Sequence, residues 1–272
     1  MSQFGDLQNE IYLRGLGGDT PELPLAFDAL EAGARDVMTR EAYGYVAGSA
    51  GRETTAQANL DALQRWRIQP RMLREIAERD LTTEVVGTTL AAPVLTAPIG
   101  ALGVVRPDAE PSVARVTSSL GIGMVLSTVS STPMERVAEA AGDGPRWFQL
   151  YWPRSRELVL SLVRRAEASG YSAIVVTLDT WTLAWRPRDL QVAYLPFLRG
   201  DGLTNYFTDP VFRGLLAEPP EAGPEAARAA ILTWVGLFGN PALSWEDLAW
   251  LTEQTELPVL VKGIGHTDDA HA

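Results

Sequence analysis

Polar side chains follow several short apolar runs of this 272-residue chain, at the points where strands are expected to end. They carry hydroxyl, amide, carboxyl and ammonium groups, and they are Ser127 and Thr128, Gln149 and Tyr151, Thr177 and Asp179, and Lys262. Such groups can hydrogen-bond a polar ligand and hold a fixed charge beside it, as acid–base and electrostatic catalysis require. A second interpretation is that polar residues simply resume where strands end. The pattern alone does not separate the two.

The elements that would position these side chains are apolar runs that alternate with segments of helical spacing. Strands are predicted at residues 93–97, 123–128, 146–151, 173–178 and 258–262. Helices are predicted at residues 112–120, 133–141 and 156–169. The runs are rich in Val, Ile, Leu and aromatic residues without strict alternation, which is typical of parallel strands covered on both faces. Thr132 before Pro133 predicts an N-cap, and Gly170 ends the third helix.

The remaining segments are an extension before the first strand and an insert between the fourth and fifth strands. Residues 1–90 are mainly helical in pattern, notably at 26–46 and 54–66, and we expect them to pack beside the sheet. The insert covers residues 185–257, and its Pro, Glu and Ala-rich stretch at 218–227 is predicted to be a mobile loop. Residues 91–184 then hold the first four β/α units and 258–272 the fifth strand with a tail. A single domain over 1–272 follows.

Two α/β architectures fit this element order, namely an open doubly wound sheet and a closed (β/α)8 barrel. No Gly-x-Gly-x-x-Gly sequence follows any predicted strand, which removes the usual dinucleotide fingerprint of the open sheet. A barrel places its active site at the carboxyl ends of its strands, where the polar residues gather.

Composition excludes several kinds of function. A formal net charge of −11 and the scarcity of clustered Lys and Arg disfavour a nucleic-acid partner. The absence of cysteine excludes disulfides, iron–sulfur ligation and thiol nucleophiles, and two histidines make a zinc site unexpected. No apolar run approaches the roughly 20 residues of a membrane span, and the polar, acidic start does not fit a signal peptide. We therefore expect a cytoplasmic protein without a metal.

Six motifs occur in an order that matches a known family. They are YGYVAGSAG at 43–51, APIG at 97–100, WFQLY at 147–151, TLDT at 177–180, WRPRD at 185–189 and VKGI at 261–264. Together they resemble the FMN-dependent α-hydroxy-acid oxidising family, which includes glycolate oxidase, lactate oxidase and lactate 2-monooxygenase. The segments NEIY at 9–12, PRML at 70–73 and LTNYFTDP at 203–210 look most like lactate 2-monooxygenase. The resemblance implies a TIM-type barrel, FMN as cofactor, a small lactate-like L-2-hydroxy acid as substrate and molecular oxygen as acceptor.

The resemblance also assigns substrate contacts. Arg186 matches the family's carboxylate anchor, and a planar guanidinium can hold both carboxylate oxygens. Tyr45 and Tyr151 match two tyrosines that hydrogen-bond the substrate, and a phenol donates without adding charge. The competing interpretations are an Arg186 that pairs with Asp189 at the surface and tyrosines that only pack in the core. Tyr43 is assigned to packing.

Flavin contacts are implied in the same way. Gln149, Thr177 and Ser127 resemble residues that bind the polar edge of the isoalloxazine, and the backbone at Pro98, Ile99 and Gly100 is expected beside its central ring. Lys262 aligns with a lysine that stabilises the reduced, anionic flavin. Asp179 matches the carboxylate that orients the family's catalytic histidine. Gly100 replaces the alanine common among the oxidases, and this favours a monooxygenase-like member.

That histidine lies on the family's sixth strand, in a Ser-Asn-His-Gly-Gly-Arg type of motif that is absent from residues 1–272. Five of eight strands are therefore expected in a C-terminally truncated chain, which we predict to be unstable alone and to bind FMN weakly. His266 is a poor substitute base, because it aligns with a loop. The full-length protein is expected to be a tetramer. The alternatives are a non-catalytic remnant that serves as a binding or assembly partner, and another FMN barrel such as a dihydroorotate dehydrogenase-like enzyme.

Overall fold

Five parallel strands form the centre of the molecule. The computed structural model describes residues 5–75 and 77–271. The strands are β3 (Leu95–Thr96), β4 (Gly123–Leu126), β5 (Arg146–Leu150), β6 (Ile174–Thr177) and β7 (Val259–Lys262), hydrogen-bonded in sequential order. Each lies inside one of the five predicted runs, so the strand predictions are confirmed.

Side chains of these strands alternate between two different cores, as the period-two geometry of a strand requires. Phe148, Leu150, Ile174 and Val176 belong to a large core shared with the helices. Val125, Trp147 and Val175 form a smaller cluster on the opposite face, packed against Leu95 and Leu260 of neighbouring strands. Helices thus cover one face only, whereas a doubly wound sheet carries them on both. The arrangement is an arc of a β/α barrel.

The helices on the outer face follow the prediction closely. They are α5 (Ala109–Leu120), α6 (Met134–Ala141) and α7 (Arg156–Ala168), joined further along by α12 (Trp245–Thr252). Leu158, Val159, Leu162 and Val163 of α7 are fully buried, which gives this helix an apolar stripe at i, i+1, i+4 and i+5. Gly170, at φ +72°, follows the C-cap of α7 as predicted.

The predicted N-cap of α6 is wrong by one residue. Pro133 occupies the N-cap position, with φ −56° and ψ 141°. Thr132 is engaged elsewhere, since its hydroxyl donates to Glu110 Oε2 at 3.3 Å. The free amide at the start of α6, Met134 N, donates instead to Asn205 Oδ1 at 2.8 Å. A side chain from a distant segment therefore supplies the cap.

The amino-terminal extension contains an antiparallel hairpin that the sequence reading missed. Strands β1 (Thr83–Val85) and β2 (Thr88–Leu90) are joined by Val86 and Gly87, both with positive φ, as a type I′ hairpin turn requires. Thr88 Oγ1 accepts a hydrogen bond of 3.0 Å from Trp147 Nε1, and Val85 packs against the smaller apolar group formed by Val125, Trp147 and Val175. The hairpin therefore lies beneath the inner face of the arc.

The helices of the extension are α1 (Asp6–Gly15), α2 (Phe27–Val37), α3 (Arg40–Ala47) and α4 (Thr54–Gln64). The single helix predicted at 26–46 is divided at Met38 and Thr39, both extended, and Thr39 caps α3 by accepting from Ala42 N at 3.1 Å. Among these four helices only α3 contributes a buried residue, Ala42, and α3 packs against the start of the insert.

The insert is mostly helical. It contains α8 (Pro187–Gln191), α9 (Thr204–Phe207), α10 (Pro210–Gly214) and α11 (Pro224–Leu237), before α12 and the strand β7; a last helix, α13 (Thr267–His271), follows. The mobile loop predicted at 218–227 is wrong, because Pro220–Ala222 form a 3-10 turn and Pro224 begins α11. Proline at the first position of a helix leaves no hydrogen bond unmade, and Ala226 and Ala230 bury the helix against the core.

Candidate active site

Three predicted residues form a buried hydrogen-bonded group at the carboxyl ends of β4, β5 and β6, here named the inner cluster: Ser127, Gln149 and Thr177. Gln149 Oε1 accepts from Ser127 Oγ at 3.2 Å, and Gln149 Nε2 donates to Thr177 Oγ1 at 2.9 Å. Each of the three is at most 5% exposed. The side chains are fixed by one another before any ligand arrives, which lowers the entropy cost of binding.

The chain supports the inner cluster through backbone contacts on both sides. Gln149 Oε1 also accepts from Thr128 N at 3.1 Å, and the Thr128 hydroxyl donates to Gln149 O at 2.5 Å. Asn205 Nδ2 donates to the carbonyls of Thr128 at 3.0 Å and Ser127 at 3.4 Å. Asn205 is fully buried and thereby joins the turn after β4 to the amino end of α6. Asn205 lies in the segment LTNYFTDP at 203–210, but nothing local in that sequence indicates this role.

Four further predicted residues are more exposed and are here named the outer cluster: Tyr45, Asp179, Arg186 and Lys262. Thr177 and Lys262 are direct register partners in the sheet, so Lys262 lies next to the inner cluster. Lys262 Nζ donates to Asp179 Oδ2 at 3.2 Å, and both side chains are more than 40% exposed. Gly263, at φ +107°, follows directly, and a Cβ there would lie 2.9 Å from Asp179 Cβ. Glycine therefore permits the close approach of the two strand ends.

Tyr45 and Arg186 meet although 141 residues separate them. The Arg186 guanidinium lies over the Tyr45 ring at 5.0 Å and donates to the carbonyls of Tyr45 and Gly48, the latter at 3.0 Å. Burial raises the pKa of Tyr45 to about 12, against the lowering effect of Arg186. The phenol is therefore neutral near pH 7 and remains a hydrogen-bond donor.

Arg186 also pairs with Asp189, as the competing interpretation proposed, but not as a surface contact. Arg186 Nε lies 2.8 Å from Asp189 Oδ2 without hydrogen-bond alignment, and Asp189 is buried. Burial raises the pKa of the Asp189 carboxyl, and the neighbouring guanidinium opposes this. The ion pair and the two carbonyls hold Arg186 in one place against α3.

Tyr151 lies between the two clusters. Burial raises the pKa of its phenol, a hydrogen bond with Thr180 lowers it, and Asp179 raises it further. Its backbone N–H donates to Thr128 Oγ1 at 2.9 Å, and its ring packs edge-on against Phe238 at 5.5 Å. Thr180 in turn donates to Asp179 Oδ1 at 2.8 Å. Thr180 was not predicted, although it ends the quoted TLDT motif.

The segment Pro98, Ile99 and Gly100 follows β3 and approaches the inner cluster through its glycine. A Cβ at position 100 would lie 2.6 Å from Val129 Cγ2 and 3.5 Å from Ser127 Oγ. Ala101 N donates to Val129 O at 2.8 Å, which ties this turn to the one after β4. Ile99 remains exposed. The backbone of the segment thus lies beside Ser127, so the two would contact the same bound ligand.

The two histidines lie near the end of the chain, in the segment that follows β7. His266 is exposed and lies 3.7 Å from Asp268, and His271 contacts the Thr267 carbonyl one turn earlier. Neither contact involves the inner or the outer cluster. Among residues 5–75 and 77–271, no group of three or more His, Cys, Asp or Glu side chains is arranged to hold a metal ion. No helix within those same ranges is both long and apolar enough to cross a membrane.

A cavity of about 320 Å³ opens beside Tyr151 and Thr180. It lies between the carboxyl end of β6 and the segment that leads from α11 to α12. Aromatic and aliphatic side chains form most of its wall, among them Trp152, Trp181, Phe238, Leu243 and Trp245. No local pattern in the sequence predicts this cavity, because its wall combines residues from three separate segments, at 151–152, 176–181 and 238–248.

Comparisons with known proteins identify the family to which the chain belongs. The profile of a family described as FMN-dependent dehydrogenase matches residues 34–272. The FMN-dependent alpha-hydroxy acid dehydrogenase qulF of Penicillium citrinum is 38% identical over 268 residues, which are 98% of this chain and 67% of the relative. L-lactate oxidase of Lysinibacillus sphaericus is 34% identical, with 96% and 66% covered. 2-Hydroxyacid oxidase 1 of Homo sapiens is 37% identical, with 88% and 63% covered.

Solved structures give the same result. A mandelate oxidase with (S)-4-hydroxymandelic acid superposes with a TM-score of 0.76 at 32% identity, covering 91% of this chain and 66% of the other. A lactate oxidase of Pediococcus acidilactici gives 0.76 at 27% identity, with 93% and 64% covered. The barrel-type fold prediction is confirmed. The chain spans about two thirds of the length of the relatives it matches.

Proposed function

Because the chain belongs to the FMN-dependent dehydrogenase family, whose members named above are α-hydroxy-acid oxidoreductases, we propose that it takes part in the FMN-dependent oxidation of an L-2-hydroxy acid. The observation that carries this proposal is that the inner cluster lies next to Lys262, because Thr177 and Lys262 are register partners in the sheet. Amide and hydroxyl groups in one buried row offer both donors and acceptors, which fits the imide edge of a flavin.

The residues present fit FMN on structural grounds. Ser127, Gln149 and Thr177 would hold the polar edge, the backbone at Pro98 to Gly100 would lie along the ring, and Lys262 would place a cation near it. Gly100 packs tightly against the turn after β4, since a Cβ at this position would lie 2.6 Å from Val129 Cγ2, so the turn accommodates no side chain there. When bound, FMN supplies the acceptor for the hydrogen on the substrate's hydroxyl-bearing carbon.

The outer cluster suits the recognition of a carboxylate. Arg186 supplies a permanent cation whose orientation is set by Asp189 and by the carbonyls of Tyr45 and Gly48. Tyr45 and Tyr151 would donate hydrogen bonds to substrate oxygens, because both phenols stay protonated at neutral pH. Contact between Tyr45 and Arg186 places a phenol beside a guanidinium, which suits a substrate that carries a hydroxyl next to its carboxylate.

The finer assignment is an enzyme of the lactate 2-monooxygenase type with molecular oxygen as acceptor. Its support is Gly100, which stands where the oxidases commonly carry alanine, together with the subfamily-like segments at 9–12, 70–73 and 203–210. Asp179 would orient a proton-accepting group, and in this chain its partners are Lys262 and Thr180. Neither His266 nor His271 is assigned as the base, since each contacts only its own exposed segment.

Flavin binding to the chain tests the proposal. FMN is titrated into the 272-residue protein and followed by quenching of flavin fluorescence, with Gln149→Leu as the variant and the exposed Gln64→Leu as the control. We expect weak but saturable binding, weakened at least tenfold by Gln149→Leu and unchanged by Gln64→Leu, since the variant removes both the donor and the acceptor. Equal affinity in all three proteins, or no binding by the parent, would contradict the proposal.

A further inference from the structure

The cavity beside Tyr151 has a polar end and an apolar end. Thr180 and the phenol of Tyr151 form the polar end, and Asp179 lies next to them through the 2.8 Å hydrogen bond from Thr180. Trp181, Phe238 and Trp245 supply the large apolar side chains of the wall, here called its apolar end, and Asn240 and Ser244 also line the cavity. A ligand with a polar head and an apolar tail can therefore lie with its head beside Tyr151 and Thr177, which both line the cavity, and with its tail in the cavity.

The apolar wall is built by close packing, not by a chance gap between loops. Gly239 has φ +79°, and a Cβ there would lie 2.6 Å from the Trp181 carbonyl. Arg154 fixes the same loop, since its Nε donates to Gly239 O at 3.0 Å and its backbone N–H donates to Leu237 O at 3.0 Å. Two segments of the wall are thus held against each other by glycine and arginine.

The volume of the cavity decides which side chain it suits. An apolar cavity of about 150 Å³ accommodates benzene. The cavity here measures about 320 Å³, so a methyl group would leave most of it empty, whereas a phenyl group or a long alkyl chain would contact its aromatic wall. A lactate-sized substrate, as the sequence suggested, makes no use of Trp181, Phe238 or Trp245.

We propose that this cavity receives the side chain of the substrate, so that the reaction type proposed above acts on 2-hydroxy acids with an aryl or long alkyl group rather than on lactate itself. The inference rests on the proposed function for the identity of the polar head, and on the cavity for the tail. Trp181 and Trp245 are the residues that would set the preference, because they bound the apolar end and are partly exposed, so that their removal should not unfold the core.

The test compares L-3-phenyllactate with L-lactate by calorimetric titration of the 272-residue chain, with and without FMN. We expect the phenyl acid to bind at least about tenfold more tightly, since burying a phenyl group removes several carbon atoms from water. Trp181→Ala and Trp245→Ala should each reduce that ratio to about threefold or less. Trp66→Ala, which removes an exposed indole outside the cavity, should leave the ratio unchanged.

Equal or tighter binding of lactate would overturn the inference, and so would a ratio that neither cavity variant lowers. Thermal unfolding of each variant identifies any that is unfolded, in which case the other cavity variant decides. Failure of the proposed function gives a different result: a phenyl preference that depends on Trp181 and Trp245 in a chain that does not bind FMN. Conversely, FMN binding without a phenyl preference would leave the proposed function standing and remove the assigned side-chain pocket.

Discussion

The inner cluster and the outer cluster are neighbours that differ in how they are held. Ser127, Gln149 and Thr177 lie at the ends of adjacent strands, and the pairing of those strands fixes which side chains meet. Tyr45 and Arg186 come from α3 and the start of the insert, and they are held by an ion pair, two carbonyls and ring contacts. The inner cluster, which is the inner half of the site, is therefore part of the barrel core. The outer cluster, which is the outer half, is an assembly on the rim of the barrel.

This difference has a consequence for stability. A substitution in the inner half, or in the residues that support it, leaves buried polar atoms without partners, and each such atom costs about 1–3 kcal/mol. In the outer half, water can replace lost contacts at Asp179 and Lys262. The residues proposed to bind the substrate at the rim can thus be substituted while the barrel remains folded.

Replacing Asn205 gives the largest expected effect. Asn205→Ala removes the cap on Met134 N and leaves the carbonyls of Ser127 and Thr128 without their donor, so we expect the free energy of unfolding to fall by about 3 kcal/mol. Urea unfolding followed by circular dichroism measures it. Asn59→Ala, on the exposed surface of α4, is the matched control and should change stability by less than about 0.5 kcal/mol. A similar loss in both variants would mean that Asn205 contributes nothing specific to the inner half.

A second prediction concerns the pH dependence of Tyr45 in the outer half. Its folded-state pKa of about 12 lies above the ordinary value, so between pH 10 and 12 the unfolded chain loses this proton first and stability falls as pH rises. Tyr45→Phe should remove about 2 kcal/mol of that alkaline loss, measured as the difference in unfolding free energy between parent and variant across the window. Tyr12→Phe, on exposed α1, is the control. A parent and Tyr45→Phe that lose stability in parallel would show that the phenol is solvated and that the rim is looser than the structure indicates.

The elements of the fold differ in how well the sequence predicts them. All five parallel strands and the helices α5, α6 and α7 are predicted from the sequence, because apolar runs and helical periodicity are local signals. The hairpin at 83–90 has a weak signature in the sequence, because its strands are three residues long and Val86 is not a residue that a type I′ turn favours. The stretch at 218–227 was mistaken for a mobile loop since proline and glutamate dominate it, although Pro224 starts a helix.

Side-chain contacts within the candidate site are harder to predict from sequence than the strands are. Spacing placed Gln149, Thr177 and Lys262 at strand ends, and period-two alternation then brings them to one face. Contacts made over long separations, such as that of Asn205 with Met134 71 residues earlier, have no local signature. Arg186 was expected to be available for a carboxylate or else to pair with Asp189 at the surface; the structure shows a buried partner and two carbonyls as well, which only the folded arrangement of α3 and α8 reveals.

A third prediction returns to the inner half with a smaller change. Thr177→Val keeps the shape of the side chain but removes the acceptor for Gln149 Nε2, so we expect a loss of about 1–2 kcal/mol in unfolding free energy. Thr89→Val, on the exposed face of β2, is the control and should be neutral or slightly stabilising. An equal response of both threonines in urea unfolding would indicate that the buried amide finds another acceptor, and the inner cluster would then be less constrained than its distances suggest.

The smallest effect is expected for the ion pair of the outer half. Asp179→Asn should lower the unfolding free energy by less than about 1 kcal/mol, because both partners are more than 40% exposed and solvent screens their attraction. A double-mutant cycle with Lys262→Met isolates the pairwise energy, and its value should shrink further at high salt. A coupling above about 2 kcal/mol that resists salt would mean that Asp179 and Lys262 are held as firmly as Gln149 and Thr177. The two halves of the site would then form one rigid unit, and variation of the rim would no longer be separable from the stability of the barrel.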